Sequence, residues 1–368
     1  MRFGLFVMPE PFPWSNWTVS YDLKLEEITK AERYGFDEVW IGEHHTGAYE
    51  NIPSPELFIA KASALTSRIQ LATGTINLPY HDPFLVAERM AFLDHLCHGR
   101  LIYGFGGGGL PSDKALFRLP AEEATPRLHE ALDIIEALYA TTEPIDHVGK
   151  FWSFERRRIQ VRPYQERPVF AIAGMTGTHN FALCGERGYA PLSIYFTPLR
   201  IEDNPGVPDL LALAAAMTGA AEAAGRDPAE VRGRWRICRE MYVSDSRNAA
   251  MAEIRDGLRR SYDYLFKLGL GPLMKRDAAM GDPELTFEWL VDNIPWIIGS
   301  PKDCIRQLHE LDEEVGGFGT LLINSREWLT TDRWYRSLEL VGRYVMPAFK
   351  AGEHQVLRRE LAEDALGA

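Results

Sequence analysis

The chain has 368 residues, 46% hydrophobic and 25% charged, a balance ordinary for a folded protein that excludes disorder as its main state. Lys plus Arg number 40 against 52 Asp plus Glu, a net charge of −12, so nothing global attracts nucleic acid or an anionic membrane. No apolar run is long enough to span a bilayer, and Cys97, Cys184, Cys238 and Cys304 form no C-x-x-C pair, which argues against a zinc site or disulfide scaffold and for a reducing cytoplasm.

Short apolar runs alternate with helical patterns along the chain. The runs are FGLFVM (3–8), EVWI (38–41), IQLATGTINL (69–78), RLIYGFG (100–106), PVFAIAG (168–174), YAPLSIYF (189–196), WRICREMYV (235–243) and FGTLLIN (318–324). Near-continuous apolarity is what parallel strands covered on both faces require. Between them, Tyr21, Leu25, Ile28 and Ala31 share one helical face, with Gly35 as its stop. Thr125-Pro126 reads as an N-cap and first helical residue ahead of Leu128, Leu132, Ile135 and Tyr139. Met251, Ile254, Leu258 and Tyr262 give another stripe, and Ser300-Pro301 opens a helix closed by Gly316-Gly317.

Eight strands alternating with helices predict an α/β fold, a closed (β/α)8 barrel over residues 1–346. Insertions are expected near 140–167 and 267–298, and a charged surface helix over the tail 347–368.

In such a barrel the chemistry lies where the strands end. After strand 2 come Glu43, His44 and His45; histidine moves protons near neutral pH. A metal site is the competing reading, but no H-E-x-x-H spacing is present and adjacent residues of an extended segment face opposite ways. One structural and one solvated histidine is the alternative. Gly104, Gly106 and Gly109 satisfy G-x-G-x-x-G, but Leu110-Pro111 should delay the helix that a dinucleotide fold needs. Gly106 and Gly107 instead suit close approach of backbone to a flat ligand. Gly174, Met175, Thr176, Gly177 and Thr178 precede a helix start near His179, a placement suited to an anion or to simple capping. Trp14, Trp17, Tyr80, Tyr195 and Trp296 could wall an apolar pocket, or pack in the core.

The stretch Gly35 to His45, with Leu71-Ala72-Thr73-Gly74-Thr75, Leu78-Pro79, His81-Asp82-Pro83, Tyr103-Gly104 and Gly299-Ser300-Pro301, resembles the bacterial luciferase-like flavin monooxygenases. Leu110-Pro111-Ser112-Asp113 resembles the limonene 1,2-monooxygenase and diketocamphane monooxygenase branch. The resemblance implies a two-component enzyme. A separate NAD(P)H:flavin reductase supplies reduced FMN, O2 forms a C4a-peroxyflavin, and a small apolar substrate (terpene-, cyclic ketone- or polyketide-like) is oxidised. It gives His44 an acid/base role, with His45 second. It places Thr73, Gly74 and Thr75 by the flavin ring, with Gly74-Thr75 a cis pair. Gly174 to Thr178 would hold the phosphate, and Trp14, Tyr80, His81 and Tyr195 the substrate. No metal is implied. Where luciferase has cysteine and arginine near the flavin, this chain has Gly106-Gly107. Segments 58–66 and 84–96 would form a homodimer. A coenzyme F420-dependent oxidoreductase and a non-catalytic flavin-binding relative are the competing readings.

Overall fold

The computed structural model describes residues 1–10, 15–48, 50–175, 177–201, 207–277, 279–327 and 329–350. Its strands β1 (Arg2–Val7), β2 (Glu38–Ile41), β3 (Gln70–Thr73), β4 (Leu101–Gly106), β5 (Val169–Gly174), β6 (Ala190–Ser193), β7 (Arg236–Arg239) and β8 (Thr320–Ser325) fall within the eight apolar runs or one residue outside them. Each pairs in parallel with its neighbour in chain order, and β8 pairs with β1, closing a (β/α)8 barrel. Parallel neighbours cannot be joined by tight turns. The crossovers carry α1 (Trp17–Tyr34), α2 (Pro55–Ser63), α3 (Pro83–Leu96), α4 (Pro111–Leu116), α5 (Ala121–Ala140), α6 (His179–Arg187), α7 (Leu210–Ala223), α8 (Pro228–Gly233), α9 (Arg247–Lys267), α10 (Phe287–Asn293) and α11 (Pro301–Val315), and α12 (Thr331–Leu340) follows β8.

Local signals set many of these boundaries. The Asn16 side chain caps α1 by accepting from the Thr18 and Val19 N–H groups, and Gly35, at φ 91°, ends it. Asp82 caps α3 in the same way. Ser300 and Asp303 cap α11 reciprocally.

Several expectations need correction. Helix α5 begins at Ala121, so Thr125 is not its N-cap and Pro126 lies inside it. Helix α4 opens directly at Pro111 rather than being delayed; the barrel, not a missing helix, excludes the dinucleotide fold. The third run breaks after Thr73 and resumes as Ile76–Asn77, which pairs with Phe105 and Gly106. The seventh run also breaks: Met241–Val243 leaves the barrel and pairs with Ile297–Gly299. Segment 140–167 holds an antiparallel hairpin, Ile145–Val148 with Ser153–Arg157. Segment 267–298 holds short helical turns and α10. Chain packing runs past residue 346: Lys350 Nζ donates to Asp37 Oδ1 at 2.9 Å, and residues 351–368 lie outside those described.

The lower barrel interior is filled rather than hollow. Glu38, fully buried, accepts from Arg236 Nη2 (2.9 Å) and Nε (3.1 Å) and from Trp40 Nε1 (3.0 Å). Two guanidinium charges, from Arg236 and Arg2, hold its carboxyl below the usual range against the opposing effect of burial.

Candidate active site

The strand ends converge on a cavity of about 190 Å³ at the C-terminal end of the barrel. Phe6 and Met8 enter from β1, His44 from the β2 loop, Gly74 and Thr75 from the break after β3, and Tyr195 from the β6 loop.

His44 is held there between two carboxylates. Its Nδ1 donates to Asp113 Oδ2 at 2.7 Å, and its Nε2 lies 3.7 Å from Glu50 Oε2. Asp113 sits in the first turn of α4, is 1% exposed, and also accepts from the His45 N–H (3.2 Å) and Thr46 Oγ1 (2.6 Å). Burial opposes charge on His44, but Glu50 and Asp113 outweigh it and raise the imidazole pKa above the ordinary histidine value. Burial likewise opposes charge on Asp113, and the bonds from His44 and Thr46 hold it below the usual carboxylate range.

Two adjacent histidines leave the chain on different sides, as the extended backbone requires. His45 Nε2 donates to Glu43 Oε1 (2.8 Å) and its ring packs edge-on against Phe117. His81 Nε2 donates to the same oxygen (2.7 Å), and the Asn77 N–H gives Oε2 a 2.6 Å bond. Glu43 thus ties the ends of β2 and β3 together beneath the cavity wall.

The glycine run lets the walls meet. A methyl group at Gly106 would lie 2.3 Å from Thr75 Oγ1, and one at Gly108 would lie 2.1 Å from Tyr80 Oη; at Gly107 the nearest atom is 3.8 Å away. A side chain at Gly107 would thus only touch Ala124 of α5, whereas Gly106 and Gly108 permit a close contact that any side chain would block. Beside them Thr125, His179 and Asn180 line the cavity at the N-terminus of α6, with Lys114 of α4. Lys114 is the one lysine or arginine among the described lining residues, and burial alone acts on it, lowering its pKa. No group of His, Cys, Asp and Glu among the described residues is arranged to hold a metal ion.

The comparisons with known proteins identify the family of this barrel. Residues 1–317 match the luciferase-like monooxygenase family. The chain belongs to that family. A 4-hydroxyprotoasukamycin monooxygenase of Streptomyces nodosus subsp. asukaensis is 35% identical over 95% of this chain and 92% of its own length. The limonene 1,2-monooxygenase of Rhodococcus erythropolis is 33% identical over 94% and 86%. The oxygenating constituent of 3,6-diketocamphane monooxygenase from Pseudomonas putida, solved with FMN, superposes with a TM-score of 0.80 at 25% identity, covering 94% of this chain and 98% of that one. This luciferase-like monooxygenase is accordingly an enzyme with the family's (β/α)8 barrel.

Of the residues singled out in the sequence, His44, Gly74, Thr75, Gly106, Gly107, Met175 and Tyr195 line the cavity of this luciferase-like barrel. Gly74-Thr75 is a cis peptide. His45, Thr73, Gly174, Gly177, Thr178, Tyr80 and His81 are not among the lining residues. Thr73 bonds to Gly104 in the wall, and Tyr80 stacks on Phe117 at 4.5 Å. Trp14 and Thr176 lie outside the described residues. Sequence reading missed Glu50, Asp113 and Lys114 as members of the site. Asp113 stood in a quoted block, but nothing in the spacing ties it to a histidine 69 positions away.

Proposed function

We propose that the chain is the oxygenase component of a two-component flavin system. In this reading it uses reduced FMN, delivered by a separate NAD(P)H:flavin reductase, and O2 to place one oxygen atom on a small apolar substrate. The observation that carries the reading is the cavity itself. It joins a carboxylate-held imidazole, a glycine floor and apolar walls from Phe6, Met8, Leu192, Phe196 and Leu270.

The residues fit the cofactor. The small lining residues Gly74, Thr75, Gly106 and Gly107 leave room for a flat ring. Lys114, with no carboxylate acting on it, and the N-terminus of α6 suit a phosphate monoester. Bound reduced flavin would supply the electrons that activate oxygen. The chain's own residues would do the rest. Lys114 and the α6 terminus would anchor the phosphate. Tyr195 and the apolar wall would orient substrate and exclude water. His44, fixed through Nδ1 by Asp113, would be the source of the Nε2 proton that neutralises oxygen charge in the cavity. His45 would act at one remove, through Glu43. The named relatives are monooxygenases of 4-hydroxyprotoasukamycin, limonene and 3,6-diketocamphane, and the apolar wall favours a small apolar substrate, terpene-, cyclic ketone- or polyketide-like, here.

Two further proposals accompany this one. Helices α2 and α3 contact each other and expose Leu57, Leu85, Phe92 and Leu96, the last three half-exposed or nearly so. A second copy of the chain would cover this face, giving a homodimer. A cytoplasmic enzyme is the matching location, and no helix among the described residues is long and apolar enough to cross a membrane.

The test is anaerobic titration with FMNH2 and with reduced F420, followed by rapid mixing with oxygen. FMNH2 binding, and oxygenated product from limonene or a diketocamphane, is the expected result. Tight F420 binding with hydride transfer and no oxygen consumption would refute it. Binding without turnover of any such substrate would favour a flavin carrier.

A further inference from the structure

Glu50 is the cavity residue that the site chemistry has not yet used. It lies 3% exposed in the loop after β2, yet lines the cavity. Its backbone takes φ 43°, a left-handed conformation that a non-glycine residue keeps only when its surroundings hold it. That conformation is closed locally by the Ile52 N–H to Glu50 carbonyl bond (2.5 Å), and the His44 N–H in turn donates to Ile52 (3.2 Å). The loop so folds back that the carboxylate lies over Gly42. A methyl group there would be 2.2 Å from Glu50 Oε2, and 3.6 Å from the carbonyl oxygen of Gly74. Glu50 therefore reaches the break after β3, where the cavity wall is made of Gly74 and Thr75.

The two ring nitrogens of His44 face two different carboxylates. Nδ1 is held by Asp113 at 2.7 Å, and Nε2 faces Glu50 at 3.7 Å. The separation is one small side-chain rotation or one bridging water from a hydrogen bond. Other groups acting on the pair are Glu43 beside His44 and the Cys238 thiol opposite Glu50 from β7.

We propose that Glu50 is the cavity-side member of a proton relay, Glu50–His44–Asp113, in which the carboxyl group fed by the imidazole hands the proton to oxygen charge on the bound substrate. This rests on the monooxygenase reading. One proton moves in each step. Imidazolium Nε2–H gives its proton to Glu50 Oε2, the neutral carboxyl protonates the anionic oxygen, and the carboxylate is restored. Asp113 stays ionised and fixes the ring. Glu50 is then the group that meets the substrate, and His44 supplies it.

The test compares Glu50→Gln, Glu50→Asp and Gly42→Ala. The last keeps the acid but displaces it, and the contact it meets is the end of a flexible side chain, so the fold tolerates it. The first readout is NMR titration of the His44 imidazole in the protein without flavin. Glu50→Gln and Gly42→Ala should both lower its pKa, and Glu50→Asp should fall between them and the wild type. The second is oxidation of limonene or 2,5-diketocamphane. Glu50→Gln should lose at least about tenfold in kcat, within the range a positioned acid contributes, with FMN affinity held within about twofold. Glu50→Asp should recover part of the rate. An unmoved His44 titration in both Glu50→Gln and Gly42→Ala overturns the relay, as does full oxidation by Glu50→Gln. A wild-type protein that oxidises neither compound strikes at the monooxygenase reading, while the imidazole titration still decides whether Glu50 and His44 are linked.

Discussion

Replacing Thr73 by valine tests how the barrel closes. The ladder between β3 and β4 has only the pairs Leu71–Leu101 and Ala72–Ile102 before β3 breaks. There the fully buried Thr73 hydroxyl takes over, donating to the Gly104 carbonyl (2.7 Å) and accepting from the Gly104 N–H (2.9 Å). Valine fills the same space without either bond, leaving a buried N–H and a buried carbonyl. Each such orphan costs about 1–3 kcal/mol, so a loss of about 2–4 kcal/mol is expected after partial relaxation. Gly104→Ala attacks the same seam sterically. Its methyl would lie 1.9 Å from the Thr73 carbonyl oxygen and 3.0 Å from Trp40, adding about 1–3 kcal/mol of overpacking. Because both changes break the same two bonds, the double variant should lose less than the sum. Urea unfolding followed by circular dichroism measures all three, with Thr73→Ser as the control that keeps the hydroxyl. Unfolding of Thr73→Val at the wild-type urea concentration would refute the reasoning, as would strict additivity.

Asp113→Asn should lower the His44 pKa and slow substrate oxidation by about 10–100-fold, the worth of a charge-assisted hydrogen bond of about 1.5–3 kcal/mol. The same pair makes stability depend on pH. The raised His44 pKa gives stability present below the unfolded histidine value and lost as pH rises through the folded one. The lowered Asp113 pKa gives stability present above the unfolded carboxylate value and lost as pH falls through the folded one. Urea midpoints across pH should show both limbs flatten in Asp113→Asn. Glu38→Gln leaves the Arg236 guanidinium without its counter-charge in the core and should cost about 3–5 kcal/mol, while Glu38→Met with Arg236→Met recovers much of it; thermal unfolding reads both. Lys114→Ala should weaken FMN binding by about tenfold or more but leave riboflavin unchanged, measured by fluorescence titration, if Lys114 meets the phosphate. Phe92→Asp on the exposed face of α3 should give a monomer in sedimentation velocity.

Strand order was readable because each barrel strand is apolar on both faces and short. The helices were less so. Helix α7, LLALAAAMTGAAEA, carries so much alanine that no polar face marks its period, and it escaped notice. Thr125-Pro126 imitates a helix start because the proline signal is the same wherever the missing N–H is tolerated. The strand-end rule placed His44 correctly at the cavity. It could not place Glu50, which needs the fold-back over Gly42, nor Asp113, which needs α4 to swing beneath the β2 loop. Charge pairing between elements has no period for a sequence to display.

The packed lower barrel has a consequence for traffic. Glu38, Trp40 and Arg236 plug the N-terminal end so fully that none is more than 2% exposed. That end of the barrel is therefore sealed below the cavity. In the proposed reaction flavin, oxygen and substrate would reach the cavity from the side of the strand C-termini and be held there together, so each guest already seated would narrow the way in for the next, and the order of binding would follow from the shape of a well with a closed floor as well as from the chemistry at its wall.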